Sequence, residues 1–132
     1  MSLSDFRDLE CWKCCRALRV FIAREVVGTL PKLENYLLRQ QILDAARSTT
    51  ANIAEGYGRF HYRDNARFCR IARGSCYEVV DHLITANDEQ LIPLAQLQKG
   101  EALATEAIRV LNGYIRYLVR ASENQTPHSG AS

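Results

Sequence analysis

The chain has 132 residues, of which 47% are hydrophobic and 24% are charged, and its formal net charge is +2. These values are typical of one globular domain, and they exclude a disordered, collagen-like or low-complexity chain. The longest strongly apolar run, at residues 20–23, is far shorter than the roughly 20 residues that span a bilayer. Residues 1–16 lack the apolar core of a secretory signal, so we expect a cytoplasmic protein.

Four long segments lie between the prolines and glycines that punctuate the chain. The breaks come at Gly28 and Pro31, Gly56 and Gly58, Pro93, and Pro127 with Gly130. In every segment apolar residues recur three and four positions apart, and no segment alternates as a strand does. Segments of about twenty residues with short connections predict an all-α, antiparallel up-and-down four-helix bundle.

The first two segments predict one helix over residues 9–27 and a second from after Pro31 to about Tyr57. The inner face of helix one is expected to contain Leu9, Trp12, Cys15, Leu18, Ile22 and Val26. The inner face of helix two is expected to contain Leu38, Ile42, Ala45, Thr49 and Ile53. Because each set recurs with the helical period, it must face the core.

The last two segments predict helices over residues 63–87 and from Pro93 to Arg120. Their expected inner faces are Phe68, Ile71, Ala72, Ser75, Val79 and Leu83, and Leu97, Ala104, Ile108, Leu111, Ile115 and Leu118. The bundle would therefore cover residues 9–120, after a lead-in of residues 1–8. The polar residues 121–132 are expected to be a disordered tail.

A row of arginines begins at the turn before helix three and continues along that helix. We call the following residues the arginine row: Arg59, Arg63, Arg67, Arg70 and Arg73. The four arginines on the helix fall within about 120° of one another, on the side away from the core. Guanidinium groups bind phosphate oxygens, so a row of them predicts salt-dependent binding to a nucleic-acid backbone. The alternative is a solvated helix face with salt bridges to neighbouring helices.

Aromatic residues accompany these arginines. Phe60, His61 and Tyr62 add surfaces on which bases could stack. Helix four has a second basic and aromatic face, which consists of Arg109, Tyr114, Arg116, Tyr117 and Arg120. This second face suits either the nucleic-acid surface or an interface between subunits.

A set of polar residues follows the edge of the apolar face of helix two, within about 60° of one another. It consists of Gln41, Ser48, Asn52 and Glu55, and helix three offers Ser75, Glu78 and His82 as partners. We interpret these residues as a structural hydrogen-bond network between the helices. The alternative is a catalytic or metal site built on Glu55 and Glu78, which the absence of a Glu-x-x-His motif disfavours.

The remaining motifs do not indicate a catalytic, cofactor or metal site. Cys11 and Cys14 have the spacing of zinc ligands, but no second chelating pair exists, so the cysteines are interpreted as reduced, small core residues. The glycines at residues 56–58 are not followed by the Lys-Ser/Thr pair of a phosphate loop. We therefore expect a protein that is not an enzyme and that needs no cofactor.

One known pattern runs through most of the chain. Its residues are Gln41-Ile42, Ser48, Asn52-Ile53-Ala54-Glu55-Gly56-Tyr57-Gly58-Arg59, Phe68, Ile71-Ala72-Arg73-Gly74-Ser75 and Glu78, with Phe6, Leu9 and Trp12 before them and Leu111-Asn112-Gly113 after them. In this pattern the chain resembles the 23S ribosomal RNA intervening-sequence family. The resemblance implies an up-and-down bundle that assembles into a ring-like homopentamer. Some members are encoded within insertions that interrupt large-subunit ribosomal RNA.

A related branch is the accessory variability determinant of diversity-generating retroelements, a basic pentamer that partners a reverse transcriptase and its RNA. Fold alone does not choose between the branches. The sequence therefore predicts a non-enzymatic, self-assembling protein that binds nucleic acid, with RNA as the expected form, and does not bind membranes. The alternative is a protein-interaction adaptor whose arginine row docks an acidic partner, such as a reverse transcriptase.

Overall fold

Four helices make up most of the structure. The computed structural model describes residues 5–30 and 35–130, with side chains described as far as residue 124. The helices are α1 (Glu10–Phe21), α2 (Tyr36–Gly58), α3 (Tyr62–Asp88) and α4 (Leu94–Gly130). A 3-10 turn at Phe6–Asp8 precedes α1, and a π-helical turn at Ile22–Val26 and a 3-10 turn at Val27–Thr29 follow it. No residue of the described ranges lies in a strand.

Each helix packs against two neighbours. Both α1 and α3 contact α2 and α4, so the four helices form the corners of a bundle. Contacts between α2 and α3 pair Ser48 with Ser75 and Gly56 with Asn65, which means that these helices are antiparallel. The prediction of an all-α four-helix bundle is therefore confirmed. No helix within the described ranges combines the length and the hydropathy needed to cross a bilayer.

Most of the residues predicted to face inward are buried in one continuous core. Trp12, Leu38 and Ile108 are half-buried and pack against this core, and Phe68 is half-buried. Trp12 packs edge-on against Phe6, with ring centroids 5.5 Å apart. The prediction for Ile71 was wrong, because this side chain is 43% exposed. Ile71 lies at the margin of the predicted sector, about 100° from Ala72 at the centre of the α3 inner face.

The cysteines contribute to the core as free thiols. All five are free, and all but Cys14 are buried. The Sγ atoms of Cys15 and Cys76 are 3.8 Å apart, so α1 and α3 meet across the centre of the bundle. Burial raises the pKa of Cys69 to about 12, which keeps that thiol protonated at neutral pH.

The end of helix four differs from the prediction, whereas the start of helix two stays a prediction. The predicted start of helix two falls on residues 31–34, which lie outside the described residues, as do residues 1–4 of the lead-in. α4 continues past Arg120 to Gly130, so the prediction that the helix stops at Arg120 was wrong. Residues 121–126 include no glycine or proline, and the Ser122 hydroxyl donates to the Val119 carbonyl at 3.0 Å, so nothing ends the helix at Arg120.

Candidate nucleic-acid interface

The arginine row lies on the outside of the bundle, along the first half of α3. Arg59, Arg63, Arg67 and Arg70 are exposed, and Arg73 is half-buried. Their outward position follows from the helical period, because Ala66, Cys69 and Ala72 between them point into the core. The helix dipole places additional positive charge at the same end of α3. The first half of this helix therefore presents a positive surface to the solvent.

Two exposed members of the row have no ion-pair or hydrogen-bond partner among the described residues. These are Arg63 and Arg70, both of which lie on the outward side of α3. A guanidinium without an acidic partner keeps all of its donors available for an external anion. Salt bridges within the subunit therefore do not account for Arg63 or Arg70.

Arg59 and Arg67 are held in place around one aromatic ring. The Arg67 guanidinium lies 4.4 Å from the centre of the Phe68 ring, and that of Arg59 lies 5.0 Å from it. Each also pairs with an acid: Arg59 Nε with Glu55 Oε2 at 2.9 Å, and Arg67 Nη2 with Asp64 Oδ1 at 3.6 Å. These contacts limit the motion of two long side chains, which lowers the entropy cost of binding a phosphate.

Arg73 has a different environment from the rest of the row. Its Nη1 donates to Asn112 Oδ1 on α4 at 2.8 Å. This hydrogen bond joins α3 to α4 and uses one of the donors of the guanidinium. The structure therefore places Arg73 between two helices, while the other four arginines face the solvent.

Aromatic residues from three helices meet beside the start of α3. They line a cavity of about 730 Å³, which we call the end cavity, at the end of the bundle where α2 finishes and α3 begins. The aromatic residues in its wall are Tyr57, Phe60, His61, Tyr62, Tyr114 and Tyr117. The Tyr114 and Tyr117 rings are stacked with centroids 6.1 Å apart, and Tyr62 meets Tyr117 edge-on at 6.4 Å.

This cavity unites two features that the sequence presented separately. Phe60 to Tyr62 and the tyrosines of helix four lie about fifty residues apart, but α3 and α4 are antiparallel and bring them together. The predicted topology was enough to expect that these two aromatic groups meet, because the start of one antiparallel helix lies beside the end of the next. On α4, Arg109, Arg116 and Arg120 are all exposed, and Arg109 is paired with Glu106.

The predicted polar network between α2 and α3 contains three of the proposed residues. Ser48 Oγ and Ser75 Oγ are 2.8 Å apart, and Asn52 Nδ2 donates to Ser48 Oγ at 2.8 Å. Three other residues face outward: Gln41 is exposed, Glu55 pairs with Arg59, and Glu78 lies 3.3 Å from His82 Nε2. The structure therefore does not bring Glu55 and Glu78 together as an acid pair.

No set of three potential metal-binding side chains converges within the part of the chain that the structure describes. Cys11 is buried, and Cys14 is only half-buried at the α1–α4 groove. Burial raises the pKa of the Cys11 thiol well above its usual range, which disfavours the thiolate that a metal requires. The described residues therefore offer no metal centre beside the arginine row.

Together, these features define a four-helix bundle with a basic helix face and an aromatic cavity at one end. The chain matches the family model described as 23S rRNA-intervening sequence protein over residues 7–113. Because the match covers most of the chain, the protein belongs to the 23S rRNA-intervening sequence protein family. No curated protein matches the chain.

Proposed function

We propose that this protein is a non-enzymatic, self-assembling bundle that binds nucleic acid, preferentially RNA, in the cytoplasm. The observation that carries the proposal is the exposed, unpaired state of Arg63 and Arg70 beside two further arginines held by Phe68. These side chains form a line along α3, so they suit the repeated phosphates of a strand better than a single anion. The family description, which names 23S rRNA, supports RNA as the ligand.

Self-assembly is supported by the second half of α3. Tyr77 and Ile84 are exposed there, and Glu78 and Asp81 make the surface acidic. A second copy of the chain could cover these apolar side chains. The family resemblance implies a homopentamer, and a ring of copies would multiply the weak phosphate contacts of each arginine row.

The adaptor function is the second candidate. An acidic protein, such as a reverse transcriptase surface, would pair with the same arginines, and exposed Tyr77 beside them suits a protein contact. We favour RNA because the end cavity adds aromatic rings to the basic surface. A protein that binds only an acidic partner would fail the experiment below.

The test is a salt series of binding to a fluorescent single-stranded RNA, measured by anisotropy, with the protein's mass measured by light scattering in the same buffers. We expect a multiple of the 15.0 kDa chain mass, with five copies as the favoured number. We also expect affinity to fall at least about tenfold between about 50 and about 200 mM salt, because phosphate contacts release counterions. Absence of RNA binding at low salt, or binding that ignores salt, would contradict the nucleic-acid function, and a monomeric mass would contradict the assembly.

A further inference from the structure

The end cavity has the size and lining of a ligand site. Its volume of about 730 Å³ lies within the range of roughly 300–1,000 Å³ that small-molecule sites occupy. Its wall combines flat rings with a few polar groups, which is the combination that holds a planar, hydrogen-bonding ligand. The stacked pair of Tyr114 and Tyr117 and the edge-on ring of Tyr62 provide surfaces of this kind.

A hydrogen-bond donor faces the cavity without an acceptor in the described residues. Asn65, a buried residue, donates from Nδ2 to the Tyr114 hydroxyl oxygen at 3.1 Å. The Tyr114 O–H has no acceptor among the described residues, so it can donate to a ligand. Burial raises the pKa of Tyr114, so the hydroxyl keeps its proton at neutral pH. The donor is therefore positioned for a carbonyl or ring nitrogen of a ligand.

Phe60 provides an independent indication of function. Its φ angle is 60°, in the left-handed region that a bulky residue rarely adopts, and its side chain is 87% exposed. Glycine or asparagine would occupy this turn position with less strain, and a polar side chain would suit the solvent better. A strained backbone that holds a large apolar ring at the rim of a cavity is typical of a residue kept for binding.

The position of the cavity at the start of the arginine row indicates the kind of ligand that it binds. Phe60 and His61 directly follow Arg59, and Tyr62 directly precedes Arg63, so the cavity opens where the arginine row begins. A strand whose phosphates lie along the row would present a base to the rings at this end. From this arrangement, which rests on the function proposed above, we propose that the end cavity binds one unpaired nucleobase of that strand, stacked on Tyr117 and Phe60.

The test compares a single-stranded RNA with an abasic strand that has the same length and the same number of phosphates. We expect the wild-type protein to bind the RNA about tenfold more tightly, because base stacking on aromatic side chains contributes on this scale. Tyr117→Ala and Phe60→Gly should each remove most of this preference. Tyr36→Ala is the matched control, because Tyr36 is exposed at the opposite end of α2.

The Phe60→Gly variant separates binding from folding. Because glycine relieves the strain at φ 60°, we expect the urea midpoint of this variant to rise while its affinity for RNA falls. A merely structural Phe60 would show the opposite change in stability. Equal affinity of the wild-type protein for RNA and for the abasic strand would overturn the base site and leave charge-driven binding intact. Failure to bind either strand would overturn both proposals.

Discussion

Reversing the charge of Arg63 and Arg70 together is expected to weaken RNA binding by about a hundredfold, since two charge-assisted contacts are lost and two repulsions are gained. Both side chains are exposed and neither has an ion-pair partner among the described residues, so the double variant Arg63→Glu, Arg70→Glu removes no described ion pair. A glutamate at position 63 also lies near the positive end of the α3 dipole. The variant should therefore be at least as stable as the wild-type protein.

The matched control is Arg16→Glu, Arg24→Glu, which makes the same change in net charge on the other side of the bundle. Both residues are exposed: Arg16 lies on α1, and Arg24 lies on the π-helical turn after it. We expect this control to lose only a few-fold in affinity, measured by anisotropy with the same labelled RNA. Equal losses in the two double variants would mean that overall charge, and not the arginine row, determines binding.

Gly56→Ala is expected to lower the free energy of unfolding by up to about 2 kcal/mol, because overfilling a packed contact costs about 1–3 kcal/mol. A Cβ atom at this position would lie 2.9 Å from Phe68 Cβ and 3.1 Å from the Asn65 carbonyl oxygen, so α2 and α3 would have to separate. Alanine favours a helix over glycine by about 1 kcal/mol, which offsets only part of the cost. Urea unfolding followed by circular dichroism measures the difference.

Gly74→Ala is the same substitution at a position where no neighbouring atoms crowd the added methyl group. Gly74 is exposed within α3, and no atom outside its own helical turn lies within 4 Å of the added Cβ. We expect it to stabilise the protein by up to about 1 kcal/mol. If Gly56→Ala stabilised the protein as much as Gly74→Ala, this result would contradict the close contact between α2 and α3 beside the end cavity.

The fold could be predicted largely from the sequence because its helices are separated by clear breaks. Gly58 is the last residue of α2, and Pro93 directly precedes the first residue of α4. The errors arose where the pattern is weak: Ile71 lies at the edge of a periodic sector, and the polar residues after Arg120 contain no early helix breaker. Periodicity gives the direction of a side chain, but burial at a sector's edge depends on how closely the neighbouring helix approaches.

The candidate site could be predicted only in part. The arginine row follows from the spacing of residues on one helix. The pairing of Glu55 with Arg59 was not predicted, although the two residues are four positions apart. The end cavity depends on contacts such as that between Asn65 and Tyr114, which are far apart in the chain. The left-handed backbone of Phe60 could not be predicted, because nothing in the local sequence marks a bulky residue for that conformation.

Arginine footprinting tests most directly whether RNA lies along the first half of α3. The assembled protein is treated with phenylglyoxal, which modifies exposed guanidinium groups, in the presence and absence of RNA, and the modified peptides are quantified by mass spectrometry. Arg63 and Arg70 should be protected by RNA, whereas Arg16 and Arg24 should react equally in both samples. Protection of Arg16 and Arg24 instead, or RNA binding that leaves Arg63 and Arg70 fully reactive, would contradict the proposed interface.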